Sequence, residues 1–303
     1  MGRPHLRALV LGAAAGGGLP QWNCGCEICA GARDPDNPIL PQTQSSLAVS
    51  ANGSDWALLN TSPDIRQQLA DNPVLHPRQR RDTPISSVLL TNGDIDHIAG
   101  LLILREKQPF TVYLTSEIAK VIADNSIFSA LDRSLVTFVE IGLEAPFQLA
   151  PGVEATLFAV PGKVPLFLEG DEVITDLEGE QTVGVSLRSG GEEFFYVPGC
   201  AKLTDALKER FQGANLIFFD GTVYDNEEML KSAVGKKTGA RMGHMAMNGA
   251  NGSLQGFADL NVTRKIYIHI NNTNPVWHPE SAERLAVERA GWEIGYDGME
   301  VSL

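Results

Sequence analysis

Ser86-Ser87-Val88-Leu89-Leu90-Thr91-Asn92-Gly93-Asp94-Ile95-Asp96-His97-Ile98-Ala99-Gly100 is the stretch on which the fold turns. The apolar run from Ser86 to Leu90 reads as a buried strand, and Asn92-Gly93 ends it. Helical spacing resumes at about Asp96 and runs on through His97 to Glu106. Asp94, Asp96 and His97 therefore fall just beyond the C-terminal end of a strand, where ligands commonly bind. Asp96 as only a helix cap and His97 as only a buried hydrogen-bonding residue stay open at this point.

Working outward, short apolar runs bounded by Gly, Pro, Asn and Asp predict strands over Leu6–Leu11, Ser46–Ser50, Trp56–Asn60, Thr111–Leu114, Val136–Ile141 and Val153–Ala159. Further strands are predicted over Val183–Leu187, Phe194–Val197, Leu216–Phe219 and Lys265–Ile270. Helical spacing covers Ile65–Leu69, Glu117–Ala130, Leu203–Phe211, Gly252–Leu260 and Ser281–Ala290, with Asp64, Ser116 and Thr204 as starts. Arg188-Ser189-Gly190-Gly191 splits two strands into a hairpin, so that sheet cannot be wholly parallel. Hairpins followed by alternating helices and strands predict an α/β protein of two mixed sheets packed together with helices outside. No internal repeat or long linker interrupts the chain, and the Pro- and Arg-rich stretch Asn72–Pro84 reads as a flexible surface loop.

The 303 residues suffice for a proper core, and the formal charge of −13 repels phosphate backbones and anionic headgroups. Nucleic acid and membrane surface are thus poor partners, and no apolar run is long enough to span a bilayer. Arg3 and Arg7 before the apolar stretch Ala8–Gly18 mimic a short leader, but the four glycines there fit a first strand and its turn better. Cys24, Cys26 and Cys29 crowd into six residues, a metal-site pattern rather than a disulfide framework, and a reducing cytoplasm is expected. Tetrahedral zinc needs a fourth ligand, which spacing does not give; Cys200 qualifies by chemistry but reads equally as a small core residue. Val10 to Gly18 superficially looks like a dinucleotide-binding loop, but it runs into cysteines instead of opening a helix. His269 after Ile266-Tyr267-Ile268, Asp220 after Ile217-Phe218-Phe219, and His244 in a glycine-containing segment complete the candidates, each with a structural reading beside it.

At Thr91 to Gly100 the chain resembles the metallo-β-lactamase superfamily, whose loop reads His-x-His-x-Asp-His-x-x-Gly. Asp96, His97 and Gly100 fit, whereas Asn92 and Asp94 stand where the leading histidines would be. Ala14 to Cys29, Thr43-Gln44-Ser45-Ser46, Ser62-Pro63-Asp64-Ile65-Arg66, Met242-Gly243-His244, Ile268 to Pro275 and Tyr296-Asp297-Gly298-Met299 are together similar to the pyrroloquinoline quinone (PQQ) biosynthesis protein B family. The resemblance implies a four-layer αββα sandwich, one metallo-β-lactamase-like domain over 1–303 with a zinc-binding loop at 24–29. It implies coenzyme PQQ biosynthesis through iron- and O2-dependent hydroxylation of the tyrosine ring of a peptide-derived glutamate–tyrosine intermediate. A non-catalytic PQQ carrier and a vestigial metallo-hydrolase stay open, as do the electron donor and a homodimer.

A related branch, the phosphonate-pathway cyclic phosphodiesterases, implies the ligand assignment. Its strand-end His-Ile-Ser-His corresponds to His269-Ile270-Asn271-Asn272, which gives His269 to the catalytic metal and Asn272 to the cysteine zinc as an unsettled fourth ligand. The branch's hairpin histidine has no counterpart, and its bridging aspartate falls at Gly199. With these and both leading histidines lost, the remaining Asp96, His97 and His269 suit one Fe(II) with open positions rather than two metals held about 4 Å apart. That site is expected to be less enclosed than the zinc. Asp94 is expected near the same metal, with His244 and Asp220 handling protons or holding the substrate.

Overall fold

In the computed structural model, which describes residues 5–170 and 173–303, alternate side chains of strand β1 (Arg7–Gly12) enter different cores. Ala8 and Val10 join the core between the sheets, while Leu9 and Leu11 join a second core under the outer helices. The other strands are β2 (Ser46–Ser50), β3 (Trp56–Leu59), β4 (Ile85–Leu89), β5 (Phe110–Leu114), β6 (Val136–Glu140) and β7 (Phe147–Ala150). These are followed by β8 (Val153–Ala159), β9 (Val183–Ser189), β10 (Glu192–Val197), β11 (Leu216–Asp220), β12 (Arg264–Ile268), β13 (Trp292–Ile294) and β14 (Glu300–Ser302). They form two seven-stranded sheets, ordered β14-β1-β2-β3-β4-β5-β6 and β13-β12-β11-β10-β9-β8-β7. Both are mixed: β9 and β10 make the expected antiparallel hairpin, and β10 to β13 run parallel. Helices lie outside both sheets, which gives the expected four-layer αββα sandwich.

The helices are α1 (Glu27–Arg33), α2 (Ile65–Asp71), α3 (Ile95–Ile98), α4 (Ser116–Asp124), α5 (Asp205–Phe211), α6 (Glu228–Lys231), α7 (Gly239–Met242), α8 (Ser253–Gly256) and α9 (Ala282–Arg289). Ile65, Ile98, Ile118, Val121 and Ile122 pack against the outer face of the first sheet. None of the described helices is long and apolar enough to cross a membrane.

Several predicted bounds are corrected. The helix expected over His97–Glu106 is a short α3 followed by a 3-10 turn at Ala99–Leu102, because the chain must stay against Thr61 and Ser62, where a Cβ on Gly100 would lie 2.3 Å from the Ser62 carbonyl oxygen. The one over Gly252–Leu260 stops after α8. Ser116 starts α4 as expected, with Thr115 capping it through Ile118 N, but the helix ends at Asp124 before a 3-10 turn at Ser126–Ala130, and Asp64 precedes α2 without a side-chain cap. Helices α1, α6 and α7 and strands β7, β13 and β14 were not anticipated, the strands being edge elements with short apolar runs.

Beyond β1 the chain ties the sheets together. Ala15 N donates to Ile270 O and Ile270 N to Ala13 O, so the exits of β1 and β12 meet at one edge. Asp297 clamps this junction: Oδ1 accepts from Ala13 N at 2.9 Å, and Oδ2 accepts from Thr43 N and Thr43 Oγ1, both at 2.7 Å. Asp297→Ala leaves three donors without that partner, and urea unfolding is expected to show a loss of about 3 kcal/mol. A loss below about 1 kcal/mol would show that water replaces the carboxylate.

Candidate metal centres

The strand ends converge as the topology dictates, β4 from one sheet and β10, β11 and β12 from the other. His97 stands on α3, with Nδ1 2.7 Å from Asn92 Oδ1. Asn92 Oδ1 also accepts from Asp94 N, which fixes the amide orientation, so the imidazole hydrogen belongs on Nδ1. His97 Nε2 is then a bare lone pair, buried and without a hydrogen-bond partner, 3.9 Å from Asp96 Oδ2. His269 follows β12 at φ +55°, a left-handed conformation that a non-glycine residue keeps only where its surroundings impose it. Its Nε2 lies 3.1 Å from Asp96 Oδ2 and its Nδ1 2.8 Å from Thr222 Oγ1. Ligand atoms of Asp96, His97 and His269 all lie within 4.8 Å of one another.

A second group shares His269 and adds Asp220 and His244. Asp220 is already fully engaged. Its Oδ1 accepts from Thr222 N and Oγ1, and its Oδ2 accepts from Cys200 N at 2.8 Å and from His244 Nδ1 at 2.7 Å. A carboxylate so occupied orients an imidazole rather than filling a metal's coordination sphere. His244 Nε2 is left without a partner among the described residues.

Burial pushes His97 down to about 4, beyond what the Asp96 charge restores, so its imidazole is neutral at pH 7. Burial alone would lower His269 too, but its hydrogen bond to Asp96 and the charges of Asp96, Asp220 and Asp94 raise it. Burial opposes ionisation of Asp96, yet His97 and His269 hold its carboxyl below the ordinary range. For Asp220, burial is likewise outweighed by the His244 charge and hydrogen bond. The cluster thus draws positive charge to the point where three ligand atoms meet. With a buried neutral lone pair aimed nowhere else, the residues fit one cation.

The cysteines form the other centre. Cys26 caps α1, its Sγ accepting from Cys29 N at 3.5 Å, so the expected loop is half loop and half first helical turn. Arg33 pins that turn by donating to Cys24 O and Gln21 O, each at 2.6 Å. The Asn272 amide lies 3.2 Å from Cys29 Sγ and 3.9 Å from Cys26 Sγ. Its nitrogen faces the sulfurs, and turning the amide over would present the oxygen from the same place. Burial pushes Cys26 up to about 12, so a cation entering there must displace a proton.

Side-chain burial does not separate the two centres, since Cys29 and Asn272 are as buried as His97 and His269, and Asp96 is half-buried. Cys24 and Cys26 are half-buried on a cavity of about 430 Å3 shared with Gln21, Met229 and Asn272. Cys200 is not the distant fourth ligand: it lies in the core beside Asp220, its buried thiol held well above the ordinary value. Asp94 belongs to neither ligand group; it precedes α3, and burial together with the Asp96 charge raises its carboxyl. Thr222 was missed, although Asp220-Gly221-Thr222 at a strand end was a legible signal. Gly199 does border the site, since a Cβ there would stand 3.5 Å from His244 Cε1.

Two facing mixed sheets with ligand groups gathered at the strand ends define the class, a metallo-β-lactamase fold of the kind used by metal-dependent proteins. The Beta-lactamase superfamily domain family matches residues 55–270. Coenzyme PQQ synthesis protein B of Rhizobium meliloti (strain 1021) is 57% identical over 298 residues, 98% of each chain. Its namesake from Ruegeria pomeroyi is 55% identical, covering 98% of this chain and 100% of that one. The crystal structure of Zn(2+)-bound PqqB from Methylobacterium extorquens superposes with a TM-score of 0.97 at 49% identity, over 98% of this chain and 100% of that one. This chain belongs to the coenzyme PQQ synthesis protein B family. A diphosphatase of the PhnP family, at 18% identity and TM-score 0.68 over 99% of this chain and 97% of that one, shares the fold.

Proposed function

We propose that the chain acts in PQQ biosynthesis as an Fe(II)- and O2-dependent hydroxylase of the tyrosine ring of a peptide-derived glutamate–tyrosine intermediate, in one metallo-β-lactamase-like domain in the cytoplasm. The names of its relatives support the pathway. The observation that carries the chemistry is the unpartnered, buried His97 Nε2 beside Asp96 and His269. Two imidazoles and one carboxylate are the ligand set of mononuclear non-haem iron, whose bound Fe(II) would supply O2 activation at its open positions. Asn92 and Thr222 each engage the Nδ1 of one histidine, so both imidazoles turn Nε2 toward Asp96. Asp220 holds His244 by Nδ1, so Nε2 is the atom that can take or return a ring or solvent proton, with Asp220 stabilising the charged imidazole. Zinc held by Cys24, Cys26, Cys29 and Asn272 has a structural role in this reading.

Oxygen uptake and product labelling test it. Fe(II)-loaded protein given the intermediate under 18O2 is expected to consume O2 in step with product and to place the label on the ring, with negligible phosphodiesterase activity under any divalent metal. Label arriving only from water, or efficient phosphodiester hydrolysis, sinks the hydroxylase. Tight PQQ binding with no O2 uptake replaces it with the carrier.

A further inference from the structure

A strap leading out of β8, from Val160 to Glu169, runs beside the histidine site. Its Pro165 packs on the residue before Asp94, where a Cβ on Gly93 would lie 3.0 Å from Pro165 Cγ. Its Lys163 runs along the residue before His244, where a Cβ on Gly243 would lie 3.1 Å from Lys163 Cγ. The strap then turns through Leu166–Leu168 to Glu169, whose carboxylate meets two cations. Lys163 Nζ is 2.9 Å from Oε1, and the Arg241 guanidinium donates to Oε2 at 2.9 Å and to Oε1 at 3.4 Å. Arg241 stands on α7, which leads directly into Gly243 and His244.

Two cations meet at one carboxylate here, with Asp94 the next acid within reach of Lys163, in a chain of net charge −13. Lys163 and Glu169 are also largely buried, at 13% and 8% side-chain exposure. Taking such a pair out of water adds little stability, whereas a buried Lys163 ammonium beside the half-exposed Arg241 guanidinium is well shaped for a carboxylate arriving from solvent. On the same strap Leu166 and Phe167 stand exposed, apolar surface beside a polar clamp. We infer that Lys163 and Arg241 form the subsite for a carboxylate of an aromatic substrate, and that Glu169 occupies it as an internal stand-in which the substrate displaces. The inference rests on the reading of the histidine site as the place where a pathway intermediate binds.

PQQ, a tricarboxylate quinone, serves as the probe, with its trimethyl ester as the uncharged control. Binding to the protein as purified is followed by fluorescence under argon, so no turnover enters the measurement. Removing an internal competitor raises apparent affinity. Glu169→Gln is therefore expected to bind PQQ about tenfold more tightly, and Arg241→Ala and Lys163→Gln about tenfold more weakly, with the ester unaffected throughout. Unchanged or weaker PQQ binding by folded Glu169→Gln overturns the inference. Should that variant fail to fold, as judged by its melting curve, Arg241→Ala decides: full PQQ affinity there overturns it as well. Because no O2 chemistry is read, failure of the hydroxylase reading leaves this result standing, and failure here leaves 18O incorporation untouched.

Discussion

Cys26→Ser is expected to release the zinc and to lower unfolding stability by on the order of 5 kcal/mol or more, the largest stability effect of any single substitution considered. Zinc held in the folded state must be given up on unfolding, so its binding energy adds to the fold. The turn has little else to order it: α1 is seven residues long, and its cap is the Cys26 sulfur itself. Metal analysis together with thermal melts checks this, with about one zinc per chain in the parent protein. Full stability after metal loss would refute a structural role. The pH dependence has a definite sign. Burial pushes the metal-free Cys26 thiol up to about 12, so zinc displaces a proton and affinity rises with pH, and chelators should strip the site more readily on acidification. Asn272→Ala should weaken zinc retention and Asn272→His should strengthen it, because an imidazole is the better zinc ligand.

The second large effect concerns the histidine centre. His97→Ala or His269→Ala should reduce Fe(II) binding to near zero and product formation by at least about 1,000-fold, while the cysteine zinc remains. The separation follows from geometry: His269 Nε2 faces Asp96, whereas Asn272, three residues on, faces Cys29, with Ile270 pinned to Ala13 and Ala15 between them. Metal stoichiometry before and after mutation decides the point. If His269→Ala releases zinc instead, His269 belongs to the cysteine centre and the assignment of both sites fails.

Local pattern determined much of this. Apolar runs of four to seven residues marked eleven strands, and the turn at Ser189–Gly191 marked the hairpin, because period and breaker residues act within a few positions. The cysteine cluster and the strand-end Asp96, His97, Asp220 and His269 were legible for the same reason. Edge strand β14 was not, since three residues acquire a register only from the partner they meet, here β1. Nor was the span of α3 legible, which is cut short by the backbone at Thr61 and Ser62.

Tertiary structure alone decided how the candidates group. Asp220 reads in sequence as a group that handles protons or holds the substrate, but four donors from Cys200, Thr222 and His244 saturate it, and such saturation depends on contacts between strands. Thr222 gains its place by touching His244 and His269, which lie 22 and 47 positions away. Lys163, Glu169 and Arg241 carry no motif, and their pairing spans as many as 72 positions. Sequence determines which chemistry is available at each strand end. Which groups keep a free lone pair depends on every donor the folded chain brings within 3 Å, and that is settled only when the two sheets close.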